Sequence, residues 1–129
     1  MEPISTGRLW IGRILTGIAA AFLLFDAAGK LMRVSAVIDW TVKLGYPESS
    51  VFAIGVLLLM GVVLYLIPRT SILGAIYLAA YLGGAVATHV RVASPLASHV
   101  LFPVYVAAFV WGGLALRNPR LLALLADGR

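Results

Sequence analysis

The sequence predicts an all-α fold: an integral membrane bundle of four transmembrane helices, with a short interfacial helix between helices 1 and 2. Three observations carry this reading. Hydrophobic residues make up 62% of the chain and charged residues 12%, with a mean hydropathy of +1.03; a soluble domain is roughly half apolar and a quarter charged. The apolar residues gather into four stretches, each near the ~20 residues that cross a ~30 Å hydrocarbon layer as a helix. Turn-forming prolines stand between them. The 129 residues leave room for a single domain, 1–129, and no separate soluble one.

The spans are expected at about 9–32, 51–67, 71–90 and 96–116. They must be helical, because lipid offers the backbone no hydrogen-bond partners. The first could be mistaken for a cleavable leader, with Arg8 and Arg13 before an apolar run and Ala27-Ala28 after it. Asp26 and Lys30, however, occupy the would-be cleavage region, so it is read as a span. The linker 33–50 is partly amphipathic, with Asp39 and Lys43 an i,i+4 pair on its polar side. It predicts a helix lying in the interface, ended by Gly45-Tyr46-Pro47. Pro68-Arg69-Thr70 separates the second and third spans, Pro95 opens the fourth and Asn118-Pro119 closes it. Pro103 falls inside the fourth span and should kink it or loosen its first turns.

The net charge of +5 is dispersed singly between apolar segments. It suits topology signals and contacts to membrane lipid, not nucleic acid. Arg8, Arg13, Arg69, Arg117, Arg120 and Arg129 fall on the side of the termini, and Lys30, Arg33, Lys43 and Arg91 on the other. The positive-inside rule then makes the termini cytoplasmic. Cysteine is absent, which excludes disulfides, thiolate metal sites and dithiol redox chemistry on this chain.

Asp26 is the deepest ionisable group, roughly 9 Å from the midplane of an untilted span, with Lys30 one turn on. Such groups are costly in hydrocarbon unless paired or facing a protein interior. The alternating directions of the spans bring Asp26, Lys30, His89, Arg91 and His99 to one end of the bundle. They form either a polar ligand pocket or a self-neutralised Asp26–Lys30 pair beside ordinary interfacial residues. Tyr77, Tyr81 and His89 share a stripe suited to a flat, quinone-like ring, or serve as hydrogen-bonded core residues. Metal or haem ligation by His89 and His99 is disfavoured, because no third ligand has recognisable spacing. Ala75, Ala79, Gly83, Gly84 and Ala87 supply a small-residue face for helix packing. Trp10, Trp40 and Trp111 read as interfacial anchors.

LYLIPRTSILGAIYLAAYLGGAVATHVRV (64–92) and HVLFPVYVAAFVWGGLALRNPRL (99–121), preceded by FDAAGKLM (25–32) and LGYP (44–47), resemble the DoxX-like family of small four-helix membrane proteins. The resemblance covers almost the whole chain. It implies a bacterial cytoplasmic (inner) membrane protein, and some relatives resemble the membrane subunit of a thiosulfate:quinone oxidoreductase or belong to thiol-redox complexes. Many relatives carry an acid in the second helix, where this chain has none between Ile54 and Ile67. Carried over by motif, Asp26, Lys30, Arg69, Gly83, Gly84, His89 and Arg91 are the positions of interest.

The expected role is an accessory membrane subunit of a redox-linked complex, or a binder of quinone or another lipophilic ligand, with an oxidoreductase partner or a second copy of itself. The alternative is a small oligomeric proton-coupled transporter using Asp26. Such carriers place their acid nearer mid-membrane, and Asp26 already has Lys30 beside it. A stand-alone enzyme is less expected, since no nucleophile motif, metal motif or phosphate loop is present.

Overall fold

The computed structural model describes residues 4–127, and every regular element among them is helical. Arg129, counted above with one side's charges, lies outside them. The chain forms α1 (Thr6–Leu31), α2 (Ser35–Lys43), α3 (Val51–Leu66), α4 (Ser71–Arg91), α5 (Phe102–Arg117) and α6 (Pro119–Asp127). With their flanking turns, α1, α3, α4 and α5 make four helices long and apolar enough to cross a membrane. This is a multi-pass membrane protein.

The four long helices run up and down in sequence order. α1 packs on α3 and α5, and α4 on the same two, so α1 and α4 face each other across a diagonal. The buried seams follow helical spacing: Ala19, Leu23 and Ala27; Leu58, Val62 and Tyr65; Ala75, Leu78 and Leu82; Val106, Val110 and Leu114. Close approach of α1 and α5 depends on two glycines. A Cβ on Gly12 would meet the Gly113 carbonyl at 2.9 Å, and one on Gly113 would meet the Gly12 carbonyl at 3.0 Å.

The helix ends show how the backbone is satisfied. α1 and α4 stop at the same end of the bundle by the same device: Val34 N–H donates to Gly29 O and Arg33 N–H to Lys30 O, while Ser94 N–H donates to His89 O and Ala93 N–H to Val90 O. The left-handed position in each is a non-glycine, Arg33 (φ 53°) and Ala93 (φ 57°). At the other end, Pro68 terminates α3, and the hydroxyls that follow take up its last carbonyls. Ser71 Oγ donates to Tyr65 O and Ile67 O, both at 2.9 Å, and Thr70 Oγ1 to Leu64 O at 2.7 Å.

Pro103 has the expected effect. The fourth span opens with a wide turn over Leu96–Val100, with i→i−5 bonds from Val100 N–H to Pro95 O and from Leu101 N–H to Leu96 O. Regular α-helix follows only from Phe102, with Pro103 in its first turn. The missing proline N–H leaves the α ladder nothing to continue on.

Three expectations need correction. Asn118-Pro119 ends the fourth span but also begins α6, Asn118 Oδ1 accepting from the N–H groups of Arg120 (3.0 Å) and Leu121 (3.3 Å). An asparagine N-cap followed by proline is itself a helix-start signal. Asp39 and Lys43 do not come within ion-pair distance; Arg33 instead reaches Glu48 at 3.6 Å and ties the start of the linker to its end. In the small-residue stripe of α4, only Ala75 is packed inside the chain. Ala79, Gly83, Gly84 and Ala87 are exposed, and a Cβ on either glycine would meet nothing. The packing face of α4 is Ser71, Gly74, Ala75, Leu78 and Leu82, rotated from the predicted stripe.

Candidate ligand-binding cavity

A cavity of about 780 Å³ lies at the end of the bundle where α1 and α4 terminate, walled by all four long helices and by α2. It falls within the ~300–1,000 Å³ of sites that take drug-sized ligands. Its walls are largely apolar, with Phe22, Leu57, Val106 and Phe102 among them, and the rings of Phe22 and Phe102 meet edge to face at 5.2 Å. Phe25, also on the wall, is 80% exposed, so one side opens onto the outer surface of the bundle.

The polar groups sit on one wall and at the mouth. Asp26 and Lys30 form an ion pair along α1, the acid one turn before the base. The lysine side chain is only 13% exposed and the aspartate 32%, so the pair lies at the boundary between interior and surface. Tyr81 lines the cavity from α4, within electrostatic reach of Asp26 and Tyr46. His89 lines it one helix turn beyond Ala85, its Nδ1 paired with Ser94 Oγ at 3.0 Å.

The linker closes over this end. Thr88 Oγ1 donates to Gly84 O at 2.9 Å, so Tyr46 Oη is the donor in its 2.6 Å bond to Thr88 Oγ1. That bond clips the segment after α2 onto α4. Gly45 makes the required bend with φ 100°, and the Arg91 guanidinium lies against it, 3.0 Å from where a Cβ would stand. From α2, Trp40 lines the cavity and stacks at a tilt on His99, 5.9 Å between ring centroids. His99 in turn meets His89 edge to face at 5.8 Å, and its own Nδ1 is paired with Ser98 Oγ at 2.7 Å. Trp40, His99 and His89 thus form a row of rings from the linker to α4. No three His, Asp or Glu side chains converge among the described residues.

Of the residues singled out by sequence, Asp26, Lys30, Tyr81 and His89 line the cavity, and His99 touches two residues that do. Tyr77 and Arg91 lie off its wall. Tyr77 falls a turn before Tyr81, and its ring fills the space left by Gly61 on α3, where a Cβ would approach it to 2.5 Å. Arg91 is drawn to the outside of the linker bend. Sequence reasoning missed Tyr46 and Thr88, and it read Trp40 only as an anchor. LGYP was visible as a turn, but nothing local says that its tyrosine reaches across to α4.

A second polar group, also unforeseen, sits inside the opposite end. Tyr65 Oη donates to Val110 O at 2.6 Å and lies 3.1 Å from Thr16 Oγ1; Arg117 Nε donates to Thr16 Oγ1 (3.1 Å) and Gly113 O (3.2 Å). The guanidinium lies over the Tyr65 ring at 5.9 Å. Beside it, Arg8 donates to the carbonyls of Leu116 and Ala115, both at 3.2 Å, and caps the end of α5.

Neither curated proteins nor solved structures show a match to this chain. The family model described as the DoxX-like family matches residues 14–113. That segment takes in α3, α4, most of α1 and α5, the linker and every residue lining the cavity. The protein belongs to the DoxX-like family.

Proposed function

We propose that this protein holds a lipophilic, ring-bearing ligand of the quinone class in the cavity beneath α2, and serves as an accessory membrane subunit to a redox partner. The carrying observation is the cavity itself: about 780 Å³, apolar on most sides, open laterally at Phe25, with Asp26–Lys30, Tyr81 and His89 grouped on it. Apolar walls favour entry from the bilayer, while a few convergent polar groups orient what enters. The Lys30 ammonium and the Tyr81 hydroxyl supply donors for a ring carbonyl, and the row Trp40–His99–His89 offers aromatic edges. A quinone would exchange electrons with the membrane pool; the chain's own residues bind it, orient it and limit water. With no cysteine in the chain, the electrons would come from a partner. The membrane is taken to be the bacterial cytoplasmic one, with the Arg-rich end of α1 and α5 inward.

Mass spectrometry of lipids and small molecules extracted from gently purified protein tests this, comparing wild type with Asp26→Ala and His89→Ala. A ring-bearing ligand that falls several-fold in both variants supports the reading. Bulk phospholipid alone in every sample defeats it.

A further inference from the structure

At the end opposite the cavity a smaller pocket of about 280 Å³ is lined by Pro68, Ser71, Leu114, Arg117, Asn118, Pro119 and Arg120. We propose that it is an anion site for a phosphate group, as carried by an acidic lipid headgroup or by free phosphate.

Two arginines share this pocket, and no carboxylate lines it. Arg117 is only partly used. Its Nε serves Thr16 and Gly113, but Nη2 is buried and has no hydrogen-bond partner. A buried donor left unpaired is costly, and such an atom in a folded protein calls for a partner. Arg120 is exposed, and its contact with Asn118 runs through the backbone N–H, so its guanidinium remains available. Of the chain's five acids, Glu2 lies outside the described residues, Asp26, Asp39 and Glu48 belong to the other end of the bundle, and Asp127 stands at the far end of α6, outside the pocket. Arg8 is committed to the carbonyls of α5 and is not part of the site.

The geometry suits phosphate better than a ring. The volume falls below the ~300 Å³ where sites for drug-sized ligands begin. Two planar guanidinium forks match phosphate oxygens, and the side-chain amide nitrogen of Asn118, whose oxygen is taken by α6, adds a donor to the lining. The pocket lies where α3 turns into α4 and α5 into α6, at the level where a headgroup phosphate would sit. Basic pockets between membrane helices recognise acidic lipids in this way.

The test uses full-length protein in phosphatidylcholine nanodiscs, with native mass spectrometry after titration of phosphatidylglycerol. Wild type is expected to retain phosphatidylglycerol in preference to phosphatidylcholine. Arg120→Gln should weaken retention about fivefold, the effect of one arginine near an anionic surface, with an unchanged thermal midpoint in phosphatidylcholine alone. Arg117→Lys keeps the charge but loses the fork and should also weaken it. Arg33→Gln, at the other end, should retain lipid as wild type does. Millimolar inorganic phosphate separates the sources. If it displaces phosphatidylglycerol or raises the thermal midpoint, the site takes free phosphate; if it does neither while the lipid is retained, the headgroup is the ligand. Equal retention of the two lipids with no response to phosphate overturns the proposal. So does an Arg33→Gln loss as large as that of Arg120→Gln, which would mark bulk charge.

Discussion

Gly12 and Gly113 each occupy the space that a side chain on the other would need, so α1 and α5 cross with backbone against backbone. A methyl at Gly12 would also stand 2.7 Å from Arg117 Cγ, and one at Gly113 would stand 2.5 Å from Thr16 Oγ1. Helices in lipid associate through such packing, because the surrounding tails are as apolar as the side chains. Gly12→Ala and Gly113→Ala are each expected to destabilise by about 1–3 kcal/mol, as overpacked sites do. Gly83→Ala, with open space around it, should be neutral or stabilising by up to about 1 kcal/mol. Loss of helical signal during denaturant titration in micelles reads both.

Ser71 holds two carbonyls of the α3 terminus and is itself buried. Ser71→Ala should cost about 1–3 kcal/mol, because those carbonyls then lack this donor in a site of little water. The same unfolding titration checks it. A change under half a kcal/mol would show that other groups satisfy the turn.

Ala93 adopts a left-handed conformation that costs an L-residue about 1–2 kcal/mol. Glycine removes that strain but enlarges the unfolded ensemble by about 0.4–1 kcal/mol. Ala93→Gly should therefore stabilise the protein modestly, raising the thermal midpoint, whereas Ala93→Val should lower it.

Asp26 and Lys30 neutralise one another beside the cavity. Asp26→Asn leaves a largely covered ammonium without its partner and should cost about 1–3 kcal/mol. The double variant Asp26→Asn, Lys30→Met should recover more than half of that loss, since no lone charge remains. Additive losses in the thermal midpoint would argue that the two residues act separately.

Tyr46 clips the linker to Thr88, while Thr88 keeps its own bond to Gly84. Tyr46→Phe should thus change global stability little. It should speed hydrogen exchange across α2 by about two- to tenfold, the equivalent of one ordinary hydrogen bond. Exchange confined to wild-type rates would mean that Trp40 and its ring contacts hold α2 alone.

The sequence by itself determined the four membrane helices, the helix in the first linker and the loosened start of the fourth span, and it set Asp26 one turn before Lys30. Each depends on neighbours within a turn or two: apolar run length, the missing N–H of Pro103, or i,i+4 spacing. Only the tertiary structure decided which face of each helix turns inward. Leu23 is 1% exposed and Phe25 80%, yet both are apolar residues of one helix. In water that contrast would be written as hydrophobic against polar; in lipid the outer face is apolar too, and the pattern falls silent. For the same reason the packing face of α4 was misplaced onto Ala79, Gly83 and Ala87, the polar pocket remained one of two readings for its end of the bundle, and the Tyr46–Thr88 clip and the buried Thr16–Tyr65–Arg117 group went unread. The last joins residues 49 and 101 positions apart in the chain, a proximity that only the closed bundle creates.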